Sequence, residues 1–446
     1  MADIPHITIL VNSQGITDSR VKKQALALAK TGYDVTVLCR NKKKCVVINK
    51  RLRFIGKPFL TPLELPNILI HDKRHWYINR TRLTALQYLL ILSLPLCLLG
   101  LLSLLSKKII PSIERLARRY LLPAYLYEVT CAGWLDDVIA SKPDIIHAHD
   151  LDTLRLAVRA NKYIRTKVIY DAHEFERDRN DRPYPAQKKQ IIAEESKYIK
   201  EVNEVITVSP GIATRLRELY SIKKPKVIYN SPRINPDATQ TIRQTLGLDD
   251  NTPLGVYVGL IREDRCLDRV AQALAFLPKW HWAFLGPTQQ GFDNKLKQIA
   301  TEAGLENRLH LLAPIADDEV VPFIADADIG IFVAEKICQS YAYALPNKIF
   351  EMSLAGLPLV VSDLPLIRKF CEDYKVGMVL TDPITPERIA TLVETVYADR
   401  KQFNDDAKRR MIQQDYSWAK QSQSLRAIYQ NLTPLFDPTI TQVMVV

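Results

Sequence analysis

Short apolar runs alternate with amphipathic segments along this chain. The runs HITILVN (6–12) and YDVTVLCR (33–40) flank SRVKKQALALAKTG (19–32), in which alanine and leucine recur with a helical period. The glycine at the end of that segment indicates a helix stop. Two later runs, PDIIHAHD (143–150) and KVIYDAHE (167–174), are again separated by a helical pattern. Strands that alternate with helices predict a parallel sheet that is covered on both faces.

The alternation of predicted strands and helices is interrupted at 231–252, where SPRINPDATQ and LDDNTP have the composition of a linker. Further predicted strands are VITVS (205–209) and KVIYN (226–230) before this stretch, and LGVYVGL (254–260), WHWAFLGP (280–287), NRLHLLAP (307–314), ADIGIFVA (327–334) and PLVVSD (358–363) after it. A chain of 446 residues is also long for a single hydrophobic core. We therefore predict an α/β protein with two doubly wound domains, 1–233 and 253–412, joined by a linker at 234–252.

Positive charge is concentrated in the first third of the chain. Residues 1–135 contain 21 lysines and arginines against 7 aspartates and glutamates, whereas the remaining residues contain 40 against 42. No helix-turn-helix, zinc-finger or RNA-recognition pattern accompanies this basic region, so we predict no nucleic-acid partner. The region contains the apolar run LTALQYLLILSLPLCLLGLLSLL (83–105), and basic residues that flank an apolar helix favour an anionic lipid surface.

The apolar run at 83–105 is long enough, as a helix, to cross the hydrocarbon core of a membrane. A single crossing would separate strands that should pair in one sheet, and a buried core helix is not expected in an insert. We expect a shallow or re-entrant helix, or a hairpin whose second arm lies at 109–127. Residues 83–127 are thus predicted to hold the protein on a membrane surface, as a monotopic or peripheral protein.

Cysteine usage indicates a reducing compartment. The seven cysteines are scattered, form no CxxC pair and lack metal-ligand spacing. The first residues, MADIPHITILVNS, show no signal-peptide pattern. We therefore expect the protein on the cytoplasmic face of the inner membrane, with reduced thiols.

Polar residues mark the strand ends of the first half, where ligands of parallel sheets bind. The loop after the first strand, NSQGITDSR (12–20), has one glycine and no GxGxxG pattern, which argues against a dehydrogenase. The next two ends, HAHD (147–150) and DAHE (171–174), indicate a functional cluster, although a metal site there lacks diagnostic ligand spacing. We expect His147 to point to the face of the sheet opposite His149 and to be structural.

In the second half, PNKIFEMSLAG predicts a helix that begins near Pro346 and ends at Gly356. The N-terminus of such a helix directs backbone N–H groups at an anionic ligand. Glu351, in its second turn, would accept hydrogen bonds from two hydroxyls of a ribose or sugar, and the alternative is a solvated helix residue. Arg265, six residues after Gly259, is suited to binding a diphosphate through paired donors.

These segments, in this order, resemble the retaining glycosyltransferases of family 4, which have the GT-B fold of two Rossmann-like domains that face a central cleft. The resemblance runs from residue 6 to residue 432 and is interrupted by the apolar insert. It is carried by DSRVKKQALALAKTGYDVTVL, PDIIHAHD, VIYDAHE, VITVSPGIA, VIYNS, YVGLIREDRCLD, ALPNKIFEMSLAGLPLVVSD and YSWAKQSQSLRAIYQNL. It also implies that the C-terminal part, 413–446, contains a helix that crosses back to the first domain.

The resemblance implies roles for individual residues. Glu351 would bind the donor ribose, Arg265 would neutralise the donor diphosphate, and His149 would lie near the transferred sugar. The segment Ala344–Asn347 would supply backbone donors to the phosphate or sugar. Two further residues are predicted to be catalytic, Asp150 and His173, and the other predicted donor-binding residues are Gly15, Arg262, Tyr343, Ala344, Leu345, Pro346, Asn347 and Lys348. Tyr343 and Leu260 depart from the family pattern, which has a glutamate and an arginine there, and Arg262 would compensate for Leu260.

The implied reaction is the transfer of a sugar from a nucleoside-diphosphate donor to a hydroxyl group, with retention of the anomeric configuration. The acceptor would be a lipid-linked or other glycan, in cell-surface polysaccharide or glycolipid synthesis. No cofactor and no metal are expected, because no DxD motif is placed to hold one. Front-face attack assisted by the leaving phosphate is preferred, because no carboxylate is placed as a nucleophile. The alternatives are a nucleotide-sugar epimerase of the same fold, which needs no apolar insert, and a membrane-bound non-catalytic scaffold, which does not explain Glu351 and Arg265.

Overall fold

A computed structural model of the chain describes residues 4–13, 15, 17–40, 45–57, 134–179, 185–403 and 405–434. These residues group by contact into two compact units. The first unit is drawn from 1–171, 201–204 and 430–446, and the second from 172–200 and 205–429. The predicted domain limits stay a prediction, and the predicted membrane segment, 83–127, lies outside the described residues.

The first sheet has eight strands in the order β3-β4-β2-β1-β5-β6-β7-β8. The strands are β1 (His6–Val11), β2 (Asp34–Arg40), β3 (Val46–Asn49), β4 (Leu52–Lys57), β5 (Ile145–His149), β6 (Lys167–Ala172), β7 (Glu204–Thr207) and β8 (Lys226–Val227). The neighbouring pairs β4–β2, β2–β1, β1–β5 and β5–β6 are parallel, whereas β3 and β4 form an antiparallel pair. The direction of the strand order changes between β1 and β5, which makes their carboxyl ends a topological switch point.

The second sheet has six strands in the order β11-β10-β9-β12-β13-β14, which is the order 3-2-1-4-5-6 of a Rossmann fold. The strands are β9 (Leu254–Val258), β10 (His281–Leu285), β11 (Leu309–Leu312), β12 (Ile329–Phe332), β13 (Leu359–Ser362) and β14 (Gly377–Leu380). All five neighbouring pairs are parallel, and the switch point lies between β9 and β12. Segments that follow β9 and β12 are therefore placed to form a ligand site.

Helices connect the strands. A helical segment at 134–141 precedes β5. The other described helices are α1 (Ser19–Thr31), α2 (Leu151–Ile164), α3 (Pro185–Tyr198), α4 (Pro210–Tyr220), α5 (Ile242–Leu246), α6 (Leu267–Gln272), α7 (Phe292–Ala303), α8 (Val320–Ile324), α9 (Gln339–Tyr343), α10 (Asn347–Leu354), α11 (Pro365–Tyr374), α12 (Pro386–Ala398), α13 (Arg400–Phe403), α14 (Asp406–Tyr416) and α15 (Trp418–Leu432). In the described part of the chain, no helix is both long and apolar enough to cross a membrane.

The inner strands of the two sheets are buried on both faces, which explains why they read as nearly continuous apolar runs. Every residue of β5 and β9 is buried. In the second unit Trp282 crosses the face of β9 so closely that a Cβ on Gly255 would lie 1.8 Å from its ring. A side chain at position 255 would therefore displace the tryptophan from the core.

Each of the eleven predicted strands overlaps an observed one, and the prediction of an α/β protein with two parallel sheets is confirmed. The predicted helix at 346–356 is α10, with Pro346 at its N-cap and Gly356 in a left-handed conformation just beyond it. The prediction missed β3, β4 and β14. The stretch interpreted as a linker contains α5, which begins with a capping box formed by Thr241 and Gln244.

Candidate functional site

Five buried polar side chains meet in the first unit, and we call them the β5–β6 cluster. Asp171 of β6 is fully buried and accepts two hydrogen bonds from Arg20 of α1, at 2.8 Å to Oδ1 and 3.0 Å to Oδ2. Gln24, one turn further along α1, donates to the same Oδ2 at 2.8 Å. His147 and His149 of β5 each place a ring nitrogen 3.7 Å from Oδ2. The cluster joins α1 to two neighbouring strands.

The expected orientation of His147 is wrong. Its ring stacks on that of His149, with centroids 4.3 Å apart, and both rings point toward Asp171. The two residues are separated by two positions on a strand, and side chains at that spacing lie on the same face of a sheet. His147 is therefore a direct neighbour of the histidine that was predicted to be catalytic.

His147, His149 and Asp171 are residue types that hold metal ions, and their ligand atoms all lie within 4.8 Å of one another. The carboxylate, however, already accepts three hydrogen bonds, two of them from a guanidinium. A cation bound here would have to displace Arg20 or lie next to its positive charge. The donor set thus fits a charge-paired polar cluster better than a metal site.

Gly15 and Asp150 lie in the first unit near the switch point between β1 and β5. Gly15 has a φ of +26°, and a Cβ at this position would lie 2.5 Å from the Cβ of Cys39, so a larger residue would clash. Asp150 also has a positive φ, +59°, and its backbone N–H donates to the carbonyl of Asp171 at 3.0 Å. Thr153 donates to the carbonyl of His149 at 2.7 Å, which anchors the end of β5.

Glu351 is a buried carboxylate in the second unit, on the first turns of α10. Only 6% of its surface is exposed, which rules out the alternative of a solvated helix residue. Oε1 accepts a hydrogen bond from the side chain of Asn347 at 3.0 Å, and Oε2 lies 3.6 Å from Nζ of Lys348. Within the described residues Oε2 has no hydrogen-bond partner. One oxygen of a buried carboxylate is thus left for a ligand.

Aromatic rings hold Arg265 in the segment that follows β9. Its guanidinium carbon lies 4.7 Å from the centre of the Tyr341 ring and 5.4 Å from that of Phe332. The hydroxyl of Tyr341 donates to Asp264, and Arg262 forms an ion pair with Asp264 at 2.5 Å. Stacking on two rings restricts the guanidinium and leaves its edge for a phosphate or carboxylate.

The predicted donor-binding charges converge on Tyr257, near the end of β9. Burial raises the pKa of its hydroxyl, and the charges of Arg265, Asp264, Arg262 and Glu351 all act on it. Lys348 passes beside the same strand end, where a Cβ on Gly259 would lie 2.8 Å from Cε of the lysine. The structure therefore places Arg262, Arg265, Lys348 and Glu351 around Tyr257, a residue that the sequence analysis did not single out.

Tyr343 ends α9 and begins the loop that leads to α10. Its carbonyl accepts a hydrogen bond from the hydroxyl of Ser209 at 2.5 Å, and its ring packs edge-on against Phe175, with centroids 5.3 Å apart. Gly211 leaves room for this packing, since a Cβ there would already lie 3.3 Å from Tyr343. These contacts set the course of the loop formed by Ala344, Leu345 and Pro346, in which Leu345 is buried.

His173 follows β6 directly and is half-buried. Beside it, Glu174 accepts a hydrogen bond from the hydroxyl of Ser340 at 2.5 Å, and the backbone N–H of Phe175 donates to the same hydroxyl at 3.3 Å. The segment after β6 is therefore tied to the start of α9. By contact grouping, His173 and the donor-binding residues from Arg262 onward belong to the second unit, and Gly15, His149 and Asp150 belong to the first.

A cavity of about 340 Å³ opens beside Arg262. Its lining includes Glu263, Asp264, Asp268 and Glu335, against two arginines. An excess of carboxylates is unfavourable for an anionic ligand. The phosphate-binding chemistry is therefore better supplied by Arg265 and the start of α10 than by this cavity.

Two family models match the chain. Glycosyltransferase Family 4 matches residues 107–231, and Glycosyl transferases group 1 matches residues 238–418. A curated relative, D-inositol 3-phosphate glycosyltransferase from Mycolicibacterium gilvum, is 23% identical over 238 residues, which are 49% of this chain and 53% of the relative. The chain thus spans about half the length of that relative.

Several solved structures have the same fold over nearly the whole chain. Sucrose-phosphate synthase from Thermosynechococcus elongatus is 13% identical, with a TM-score of 0.68 over 96% of this chain and 99% of that one. HepE from Anabaena, solved in complex with UDP-glucose, is 14% identical, with a TM-score of 0.62 over 96% and 99% of the two chains. WaaG, a glycosyltransferase involved in lipopolysaccharide biosynthesis, is 14% identical, with a TM-score of 0.54 over the same fractions.

Proposed function

Because the chain belongs to glycosyltransferase family 4, with the GT-B fold, we propose that it transfers a sugar from a nucleoside-diphosphate donor to a hydroxyl of a lipid-linked or other glycan, with retention. The observation that carries the donor assignment is Glu351, a buried carboxylate whose Oε2 has no hydrogen-bond partner in the described part of the chain. Burying a carboxylate without a donor is costly unless a ligand supplies one. Two adjacent ribose hydroxyls would supply the hydrogen-bond donors that this carboxylate lacks.

The departing diphosphate would be stabilised by fixed positive groups. Arg265 is held by two aromatic rings, Lys348 lies in the first turn of α10, and the backbone N–H groups at the start of that helix carry its positive dipole end. Groups that are fixed before the reaction stabilise developing charge without reorganisation. HepE, a protein of the same fold, has been solved with UDP-glucose, which supports a donor of this class.

The acceptor hydroxyl would attack from the face of the leaving phosphate, and no metal or cofactor takes part in this scheme. His149, Asp150 and His173 would lie near the transferred sugar. The basic and apolar composition of the region up to residue 135 supports an acceptor at a membrane, reached from the cytoplasmic face through residues 83–127. In this proposal the product belongs to cell-surface polysaccharide or glycolipid synthesis.

Incubation of the full chain with a panel of radiolabelled nucleotide sugars and a membrane extract tests the proposal. We expect label from one donor in a lipid-extractable product, and NMR of that product should show the donor's anomeric configuration. A Glu351→Ala preparation is the matched control for contaminating activity. Interconversion of free nucleotide sugars without transfer would identify the protein as an epimerase. Failure to bind any nucleotide sugar would instead support the alternative of a non-catalytic scaffold.

A further inference from the structure

Four carboxylates line the cavity beside Arg262, and each of them is paired with a lysine or an arginine. The pairs, with their shortest N–O distances, are Lys295 with Glu263 (2.9 Å), Lys295 with Asp268 (3.0 Å), Arg269 with Glu335 (2.7 Å) and Arg262 with Asp264 (2.5 Å). A cation next to a carboxylate attracts a further anion less strongly, because the two opposite charges largely cancel at a distance. These three cations therefore have little attraction left for a phosphate group.

Arg265 differs from the other two arginines of this segment, Arg262 and Arg269. In the described part of the chain its guanidinium forms no ion pair, and it lies over the rings of Tyr341 and Phe332 instead. Contact with the face of a ring leaves the N–H groups at the edge of the guanidinium available. The charge of Arg265 is therefore not compensated by a carboxylate of the fold.

Asp264 directly precedes Arg265 in the chain and is a carboxylate that could pair with it. The side chain of Asp264 is only 14% exposed, and a carboxylate at such a position needs a cation or hydrogen-bond donors. Arg262 supplies the cation, since its Nε lies 2.5 Å from Oδ1, and the hydroxyl of Tyr341 donates to Oδ2. Both oxygens of Asp264 thus have a partner other than Arg265.

Tyr341 connects the two arginines. Its ring lies 4.7 Å from the guanidinium carbon of Arg265, while its hydroxyl binds the carboxylate that Arg262 also binds. Burial raises the pKa of this hydroxyl, so it stays protonated and remains a donor at neutral pH. The four side chains form one group, in which Asp264 is held on the side of Arg262.

We infer that Arg262 binds Asp264 and thereby leaves the charge of Arg265 for the donor diphosphate. Arg262 is then a positioning residue that acts through Asp264, and not a phosphate ligand that compensates for Leu260. The two roles make opposite predictions, because neutralising Asp264 can replace a residue that acts through it but cannot replace a ligand. The inference rests on the proposed function for the ligand of Arg265, but not for the pairing of Asp264.

Chemical modification of the full chain tests the pairing without any ligand. Phenylglyoxal reacts with guanidinium groups, more slowly when they are held in an ion pair, and peptide mass spectrometry gives the rate at each arginine. In the wild type Arg265 should react faster than Arg262. In Arg262→Gln, Asp264 loses its cation and should pair with Arg265, so we expect Arg265 to react more slowly by about tenfold or more.

A double variant is the matched control. In Arg262→Gln with Asp264→Asn the carboxylate is absent, so the rate at Arg265 should return to the wild-type value. Arg409→Gln removes the arginine of an unrelated ion pair, with Asp406 on α14, and should leave the rate at Arg265 unchanged. Circular dichroism shows whether each variant is folded.

Binding of inorganic pyrophosphate, followed by calorimetric titration of the full chain, tests the consequence for the ligand. Arg265→Gln removes the proposed ligand and should weaken binding by about tenfold or more. Arg262→Gln should weaken it to a similar extent, and the double variant with Asp264→Asn should regain the wild-type affinity. A residue that only supports the local structure would not be replaced by a second substitution.

Three results would overturn the inference. One is a reaction at Arg265 in the wild type that is slower than that at Arg262. Another is a rate at Arg265 that is unchanged in Arg262→Gln, or that stays slow in the double variant. The third is an equal loss of pyrophosphate affinity in Arg262→Gln and the double variant, which would show that Arg262 binds the phosphate itself.

The two measurements also separate this inference from the proposed function. If the modification rates follow the expected pattern but the wild type binds neither pyrophosphate nor any nucleotide sugar, the proposed function is refuted and the pairing of Asp264 stands. If the wild type transfers a sugar but the modification rates do not follow the pattern, the proposed function stands and the role of Arg262 is refuted.

Discussion

Glu351 and Arg265 are held in place by different kinds of contact. The carboxylate of Glu351 is oriented by a hydrogen bond from Asn347, one helical turn earlier, while the guanidinium of Arg265 lies over the rings of Tyr341 and Phe332. Both arrangements leave polar edges for a ligand. The first prediction concerns these two groups.

Glu351→Ala and Arg265→Ala should each reduce sugar transfer by roughly 30- to 1000-fold, because a charge-assisted contact to the donor is worth about 2–4 kcal/mol in the transition state. The measurement is kcat/KM with the identified donor, with circular dichroism to check the fold. Glu372→Ala, at a 60% exposed side chain, should leave transfer unchanged. Near-normal turnover in both site variants would contradict the donor assignment.

His149→Ala should lower turnover more than it weakens nucleotide binding, since the residue is expected to face the transferred sugar. Calorimetric titration with the nucleoside diphosphate and initial-rate measurements separate the two effects. The His147→Ala variant is expected to retain nucleotide binding and to keep more activity than His149→Ala. If the His147 variant were stable but inactive and the His149 variant were active, the catalytic role would belong to His147 and the structural role to His149.

At the scale of secondary-structure elements, β10 and β11 share a second pair of histidines. Nδ1 of His281 lies 3.0 Å from Nε2 of His310, and the rings are stacked with centroids 5.2 Å apart. Burial lowers the pKa of His281, with a further contribution from Arg308, and burial followed by the charge of His281 lowers the pKa of His310. The two nitrogens can share one proton in a hydrogen bond. Two protonated nitrogens facing each other at this distance would repel.

This pair predicts acid sensitivity of the second unit. Because the folded state lowers both pKa values from 6.5, the unfolded chain binds protons at a pH where the folded chain does not. The free energy of unfolding should therefore fall as the pH drops below 6.5. Urea midpoints measured across this range should fall less steeply for His310→Gln than for the wild type.

Lys279→Gln is the control for this experiment, since Lys279 is an exposed residue just before β10. Its urea midpoints should follow the wild-type dependence on pH. An identical slope for His310→Gln and the wild type would show that the histidine pair does not contribute to acid unfolding.

At the scale of the whole molecule, the charge asymmetry and the apolar run occur in the same region of sequence. The excess of basic residues lies in 1–135, and the run at 83–105 contains no charged residue. An apolar anchor reinforced by basic residues binds an anionic membrane more firmly than either feature alone. The proposed location on a membrane surface depends on this combination.

The full chain should remain with the membrane fraction in high salt and in carbonate, because its predicted anchor is apolar, and deletion of 83–127 should move the protein to the soluble fraction. Fractionation followed by immunoblotting measures both. The deletion variant must still bind the nucleoside diphosphate, which controls for misfolding. Protease accessibility of either terminus from the far side of the membrane would refute the monotopic topology.

The sequence by itself determined where eleven of the observed strands and α10 lie along the chain. Fully buried strands read as apolar runs, and Pro346 and Gly356 limit the helix between them, so local patterns were sufficient. The same approach missed β3, three of whose four residues are exposed, and β14, which has four residues and begins with glycine. Short or exposed strands have too few buried positions to produce a periodic pattern.

Only the tertiary structure decided which polar residues are buried and what they contact. Arg20 and Asp171 are 151 positions apart, and no local pattern indicates that a helix arginine will satisfy a carboxylate on a distant strand. Tyr341 and Tyr257 were likewise not predicted, because they lie on α9 and β9, and their proximity to Arg265 and its neighbours depends on how these elements pack. Periodicity reports the environment along one element, whereas burial and charge pairing depend on the elements that pack against it.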